Sequence, residues 1–199
     1  MKPEVPRVHA VTDAQIAARP NLDRLAAALA VSPSVALHAR LPDADGRMVF
    51  DLALRLRRAS AIVLVNDRVD VARITDAAGA HLPANGLPIA SARALLSPDQ
   101  LLGRSTHHPD EARRAADEGA DYVFLGPIWE SATHPGRAGI GLEALRGLGS
   151  IKVIAIGGIT AARAAQCRDA GAWGVAAIAA LWNAADPAAA VRAMLLSFA

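Results

Sequence analysis

Residues 153–160 read Val-Ile-Ala-Ile-Gly-Gly-Ile-Thr, or VIAIGGIT. Four apolar residues in succession, instead of apolar and polar in alternation, describe a strand covered on both faces, the pattern of a parallel sheet held between layers. The strand runs into Gly157-Gly158 and then into a helical stretch whose natural N-cap is Thr160. AIVLV at 61–65 is apolar throughout in the same way. Both segments argue against an antiparallel sandwich.

Outward from this segment, short β-branched runs alternate with Ala/Leu/Arg-rich helical stretches, which predicts parallel strands joined by crossover helices. The expected strands are Val8–Val11, Ser34–Leu37, Ala61–Val65, Ala80–His81, Leu101–Gly103, Tyr122–Leu125, Val153–Ile156 and Gly174–Ile178. The expected helices are Leu22–Leu29, Arg47–Arg58, Val69–Ala78, Ile89–Leu95, Asp110–Glu118, Leu142–Leu148, Ala161–Ala170 and Ala188–Leu195. DEGAD and DAGAW each place a glycine where a left-handed helix cap is wanted, just before the next strand. Eight such units in 199 residues predict an α/β fold, one (β/α)8 barrel with short loops, spanning residues 1–199 as a single domain. A doubly wound open sheet is the alternative, because alternation alone does not prove closure.

The chain is 53% hydrophobic and 20% charged, and its 21 basic and 19 acidic residues are scattered. That distribution lacks the one-sided basic patch of a nucleic-acid binder. No signal-peptide pattern and no apolar run long enough for a membrane span is found, so a cytoplasmic protein is expected. The lone Cys167, in AARAAQCRDAG, reads as a buried helical thiol and not as a nucleophile.

If the barrel closes, its active face is built from the segments that follow each strand. Those segments contain Thr12 and Asp13, His38 and Arg40, Asn66 to Arg68, His81, Ser105 to His107, the stretch from Gly126 to Gly139, Gly157-Gly158, and the turn at 177–180. Four of the six histidines, His38, His81, His107 and His134, fall at or just beyond these expected strand ends. Gly157 and Gly158 bring bare backbone N–H groups to a positive helix end, so phosphate is the ligand that they suit. Small residues after the eighth strand, around Ala179, leave main chain open to the same anion.

Taken in order, HAVTD (9–13), NDRVDVA (66–72), AGAHLP (78–83), GRSTHHPDEA (103–112), GADYVFLGPIWES (119–131), VIAIGGIT (153–160) and AGAWGVAAIAAL (170–181) resemble the thiamin phosphate synthase superfamily over nearly the whole chain. The resemblance is strongest to its TenI-type thiazole tautomerase branch. It implies a TIM barrel, a small phosphorylated heterocycle (thiazole phosphate or thiamin phosphate) as ligand, and a homodimer. The synthase joins a pyrimidine methyl diphosphate to a thiazole phosphate with loss of pyrophosphate, assisted by Mg2+. The resemblance maps its metal carboxylate onto Asp67, whereas the second carboxylate, expected after the strand-4 motif, is missing from His81-Leu82-Pro83-Ala84-Asn85-Gly86. The synthase's strand-2 Gln and Lys appear as His38 and Pro42, its loop-6 Thr-Lys as Thr133-His134, and its strand-8 Ser as Ala179.

Those departures make the leading expectation a metal-independent, TenI-like tautomerase that aromatises a carboxythiazole phosphate by moving a proton. That branch carries a catalytic His where this chain has Pro127, so another acid/base is needed. His38 is the first choice, since a histidine titrates near neutral pH; its alternative is a packed, hydrogen-bonded ring. His134 is the second choice, with a solvated loop residue as its alternative. His107 is the third, with helix capping preferred for it. Arg40, Asn66, Asp67, Ser105, Thr106, Thr133, Gly157, Gly158 and Ala179 are the expected substrate contacts. Asp67 is equally readable as the N-cap of the following helix, and His81 as structural. Trp129 is an apolar wall or core. The competing readings are a divergent thiamin phosphate synthase requiring Mg2+ and a non-catalytic binder of thiazole or thiamin phosphate that regulates the pathway.

Overall fold

In the computed structural model, which describes residues 1–60, 62–130, 136 and 138–199, eight parallel strands close into a barrel in sequence order. Closure is made by β1 (Val8–Val11) pairing with β8 (Gly174–Ala177), with Val8 opposite Val175. The open sheet is thereby excluded. The other strands are β2 (Val35–Ala39), β3 (Val63–Asn66), β4 (Gly79–Leu82), β5 (Leu101–Thr106), β6 (Tyr122–Leu125) and β7 (Val153–Ile156). Around them lie α1 (Ala14–Ala17), α2 (Leu22–Leu29), α3 (Gly46–Ala59), α4 (Val69–Ile74), α5 (Ile89–Leu95), α6 (Pro109–Asp117), α7 (Ala161–Asp169), α8 (Ala179–Trp182) and α9 (Pro187–Leu196).

Two cores result from the two-sided strands. Residues such as Leu37, Val65, Val123 and Val153 face outward and pack with Leu56, Ala112 and Val191 of the helices. The inward residues Val11, Ala36, Leu64, Tyr122, Phe124, Ile154 and Ala176 fill the barrel itself. Gly103 on β5 shows how tightly, because a Cβ there would lie 2.2 Å from the Tyr122 ring. Cys167 is fully buried, and burial pushes its thiol up to about 12, as an inert core residue requires.

Several boundaries differ from expectation for local reasons. The segment expected as helix Leu142–Leu148 is a single 3-10 turn, Leu142–Leu145, because Gly141, Gly147 and Gly149 all hold positive φ around it. Helix α4 stops at Ile74, where Thr75 bonds back to the Val71 carbonyl and Asp76 turns left-handed at φ 49°. Most consequential for the site, β2 runs on to Ala39 and β5 to Thr106, so His38, Ser105 and Thr106 are strand residues rather than loop residues.

Candidate active site

The C-terminal ends of the strands surround a cavity of about 630 Å3. Of the expected contacts, Arg40, Asn66, Ser105, Thr106, His107, Gly157, Gly158 and Ala179 line it. Asp67 stands exposed one residue beyond Asn66, and His38 is not on the cavity surface. Thr133 and His134 lie outside the described residues.

His38 corrects the leading expectation for the acid/base. Lying inside β2, its ring points into the barrel and is fully buried. Its Nε2 is 2.9 Å from His9 Nδ1 and its Nδ1 is 3.0 Å from the Asn66 amide. Burial lowers its pKa to about 4, so it is neutral at physiological pH. His9, the next ring down, closes the series with its Nε2 3.1 Å from the Pro6 carbonyl. His81 is structural, as expected. It bridges the Tyr122 hydroxyl at 3.1 Å and Ser105 Oγ at 2.8 Å. Burial above all holds it well below its ordinary value.

His107 reverses the other way. Helix capping falls to its neighbour, since His108 accepts from the Asp110 N–H at the start of α6. His107 instead lines the cavity, with Nδ1 2.7 Å from the Gly126 carbonyl. That carbonyl can only accept, so the neutral ring keeps its proton on Nδ1 and leaves Nε2 with a free lone pair. Among the described histidines, His107 is the one that lines the cavity. Thr106, by contrast, gives its hydroxyl to the Phe124 carbonyl at 2.8 Å and supports β6.

Two ends of the cavity suit anions. On the β7 side Gly157 and Gly158 hold φ of 95° and 65°, conformations that side chains rarely adopt. A Cβ at Gly157 would sit 2.5 Å from Pro127, and one at Gly158 would sit 2.8 Å from Trp129. Helix α7 starts directly beyond, with Thr160 Oγ1 accepting from the Arg163 N–H. Arg163, which the sequence reading missed, reaches back to the Gly158 carbonyl at 2.6 Å and lies 4.6 Å from the Trp129 ring. Trp129 therefore braces a cation; it does not line the cavity. On the β2 side, Arg40 is half-buried with no side-chain hydrogen bond among the described residues. Burial pulls its guanidinium below the ordinary arginine value, opposed by Asp13 and Asp43.

Asp67 is not a helix cap. The N-cap position of α4 is Arg68, without a side-chain cap bond, and Asp67 itself is left-handed at φ 64°. Its carboxylate is thus exposed and not engaged in capping, in a conformation a non-glycine residue adopts at some cost. Among the described residues no three acidic, His or Cys side chains converge on a metal position. Mg2+ commonly takes one or two carboxylates and fills the rest of its shell with phosphate oxygens and water. The donor set fits an ion carried in with a phosphorylated substrate and does not fit one caged by the protein alone. Glu130, within the expected Gly126–Gly139 stretch though not singled out there, lines the cavity and accepts from the Gly136 N–H at 3.1 Å.

The model of the thiamine monophosphate synthase family matches residues 8–181, which span every strand and all of the cavity ends just described. The chain belongs to that family. A thiamine-phosphate synthase of Chloroflexus aurantiacus is 40% identical over 194 residues, covering 94% of this chain and 89% of that one. A thiamine-phosphate synthase of Salinispora tropica is 41% identical over 201 residues, covering 95% of both. Among solved structures, thiamine phosphate pyrophosphorylase from Pyrococcus furiosus superposes with a TM-score of 0.78 at 27% identity, over 96% of this chain and 95% of that one. A 3-hexulose-6-phosphate synthase superposes with a TM-score of 0.66 at 18% identity, which speaks for the barrel alone. The family's curated members here carry the runner-up activity of the sequence reading, not the preferred tautomerase. No described helix is long and apolar enough to cross a membrane.

Proposed function

We propose that this family member is a thiamin phosphate synthase, joining a pyrimidine methyl diphosphate to a thiazole phosphate with loss of pyrophosphate. The observation that carries the reading is the pair of separated anion ends, Arg40 just after β2 and Gly157-Gly158 just after β7 with Arg163 of α7. Two phosphorylated reactants held at once need two anchors, and fixing them toward one another supplies much of the rate of a joining reaction. Identity near 40% with synthases along the full length supports the same reading. The tautomerase loses its first-choice acid/base, since buried His38 does not reach the cavity.

In this reading the carbon–oxygen bond to the diphosphate breaks through a carbocation-like state, pyrophosphate leaves with the bonding electrons, and the thiazole ring nitrogen gives its lone pair to the vacated carbon. Arg40 meets the growing negative charge, a preorganised contribution that is usually a large part of catalysis. Gly157, Gly158 and Ala179 offer main-chain N–H groups to the thiazole phosphate, with Arg163 beside them. Ser105 and Asn66 contact the ring. Asp67 would hold Mg2+, which supplies charge neutralisation to the diphosphate when bound. The segment His81 to Gly86 provides no second carboxylate, so a weaker metal requirement than in a two-carboxylate site follows. His107 Nε2 lines the cavity as a hydrogen-bond acceptor for a bound reactant. The same reading makes the protein a cytoplasmic homodimer, for which sedimentation of the purified protein is the check.

The test is incubation of purified protein with both substrates, with Mg2+ or with EDTA. Pyrophosphate release and thiamin phosphate formation that fall in EDTA are expected. Aromatisation of carboxythiazole phosphate in EDTA, without pyrophosphate release from the substrate pair, would overturn the synthase in favour of the tautomerase.

A further inference from the structure

The contacts Pro6 carbonyl to His9 (3.1 Å), His9 to His38 (2.9 Å) and His38 to the Asn66 amide (3.0 Å) form one unbranched series from the closed end of the barrel to the cavity. Its lower end is a carbonyl, which can only accept. His9 Nε2 must therefore carry a proton, and a neutral His9 then presents a bare Nδ1 to His38. His38 Nε2 must donate to it, and a neutral His38 in turn presents a bare Nδ1 to Asn66. A lone pair needs a donor, so the Asn66 group facing His38 is its NH2. Oxygen and nitrogen of an amide are told apart only by such networks, and here the network requires the orientation opposite to the one drawn, in which Oδ1 faces the ring. Both rings are fully buried and held below their ordinary pKa, first by desolvation, which keeps them neutral.

We propose that His9 and His38 are positioning residues that lock Asn66 with its carbonyl oxygen toward the cavity, where it selects a ligand bearing an N–H donor. Asn66 lines the cavity, and its outer amide atom has no partner among the described residues. The orientation follows from the hydrogen-bond series alone. The ligand class rests on the synthase reading, in which the pyrimidine half supplies a ring amine as the donor. A ligand offering only an acceptor at that place would face an oxygen and lose the contact.

The first experiment uses the intact, ligand-free protein, so that it stands whether or not the synthase reading does. Imidazole 15N shifts at pH 7.5 are expected to show both His9 and His38 protonated on Nε2 and bare on Nδ1. A His38 protonated on Nδ1, or on both nitrogens, overturns the proposal. In His9→Phe the acceptor for His38 Nε2 is gone, so His38 is expected to move its proton to Nδ1 and Asn66 to turn over. KM for the pyrimidine diphosphate should then rise about tenfold, the worth of one well-made hydrogen bond, with kcat and the thiazole phosphate KM nearly unchanged. His9→Gln can again donate to Pro6 and accept from His38, and should restore both tautomer and KM. A folded His9→Phe that raises both KM values equally, or one that His9→Gln fails to rescue, overturns the positioning role.

Discussion

The two walls of the cavity do the same work with different materials. Along β1–β3 the functional atoms are side chains, Arg40 and Asn66, set in place by buried rings beneath them. Along β7–β8 they are main-chain groups of Gly157, Gly158 and the turn at Ala179, exposed because side chains have been removed. A wall of side chains can be retuned by a tautomer, a charge or a single substitution. A wall of main chain has no such handle, and only crowding disturbs it. The second wall is the one written in the strongest motif of the sequence, VIAIGGIT.

The largest expected difference lies in acid. His38 has a folded-state pKa of about 4 against an ordinary 6.5, both lowered rings beside it shift in the same direction, and the β7–β8 wall holds no comparable group. Above pH 6.5 both folded and unfolded chains keep the rings neutral. As the pH falls from 6.5 toward 4, the unfolded chain takes up protons that the folded one refuses, so stability rises with pH across that window and is lost on acidification. His38 alone accounts for about 3 kcal/mol between pH 7 and pH 4, at about 1.4 kcal/mol per pKa unit. Urea unfolding of wild type and His38→Gln should show the steeper pH slope in the wild type; equal slopes would mean that the buried rings are not neutral.

Next is the opposite wall. Gly157→Ala places a Cβ against Pro127 at a φ of 95°, so the strand end must shift to accept it. Backbone strain of about 1–3 kcal/mol, with misplacement of the amides, predicts an affinity loss for thiazole phosphate of about a hundredfold. Calorimetric titration measures it, and an unchanged affinity would remove Gly157 from the anion site. A smaller effect is expected at Arg40. Arg40→Met should raise the KM for the diphosphate about tenfold and Arg40→Lys by less, since a lysine keeps the charge but not the fork of donors. If instead the thiazole phosphate KM rises in Arg40→Met, the assignment of the two ends is reversed.

How much of this contrast was legible in the sequence follows from what each wall is made of. The main-chain wall is written in VIAIGGIT, because glycine is the residue that permits those φ values. The covered parallel sheet was legible from strands such as VLV and VIAI, apolar on both faces, whereas its closure was not. The side-chain wall was not, because its logic depends on where β2 and β5 end. A strand two residues longer than its apolar run moves His38 from the cavity to the interior, and hydrophobicity stops signalling the strand once polar residues enter it. His9 sat in a recognised motif, yet its partner is a ring 29 positions away that only barrel closure brings near. His107 was misread because two adjacent histidines share one helix start and sequence cannot say which one caps it. Arg163 was legible in principle, as a cation in the first turn after the glycines.

The smallest effect separates the Asn66 series from the second buried one, Tyr122 to His81 to Ser105. A carbonyl fixes the direction of the first. The second has a hydroxyl at each end, and a hydroxyl can donate or accept, so His81 can hold its proton on either nitrogen. Tyr122→Phe therefore should not propagate to the cavity as His9→Phe does: Ser105 can accept from His81 Nε2, leaving a bare Nδ1 as the only unmet group. The expected result is a stability loss of about 1 kcal/mol in urea unfolding, the ordinary net worth of a hydrogen bond, with both KM values within about twofold of wild type. A tenfold change in KM would mean that the second series is also locked.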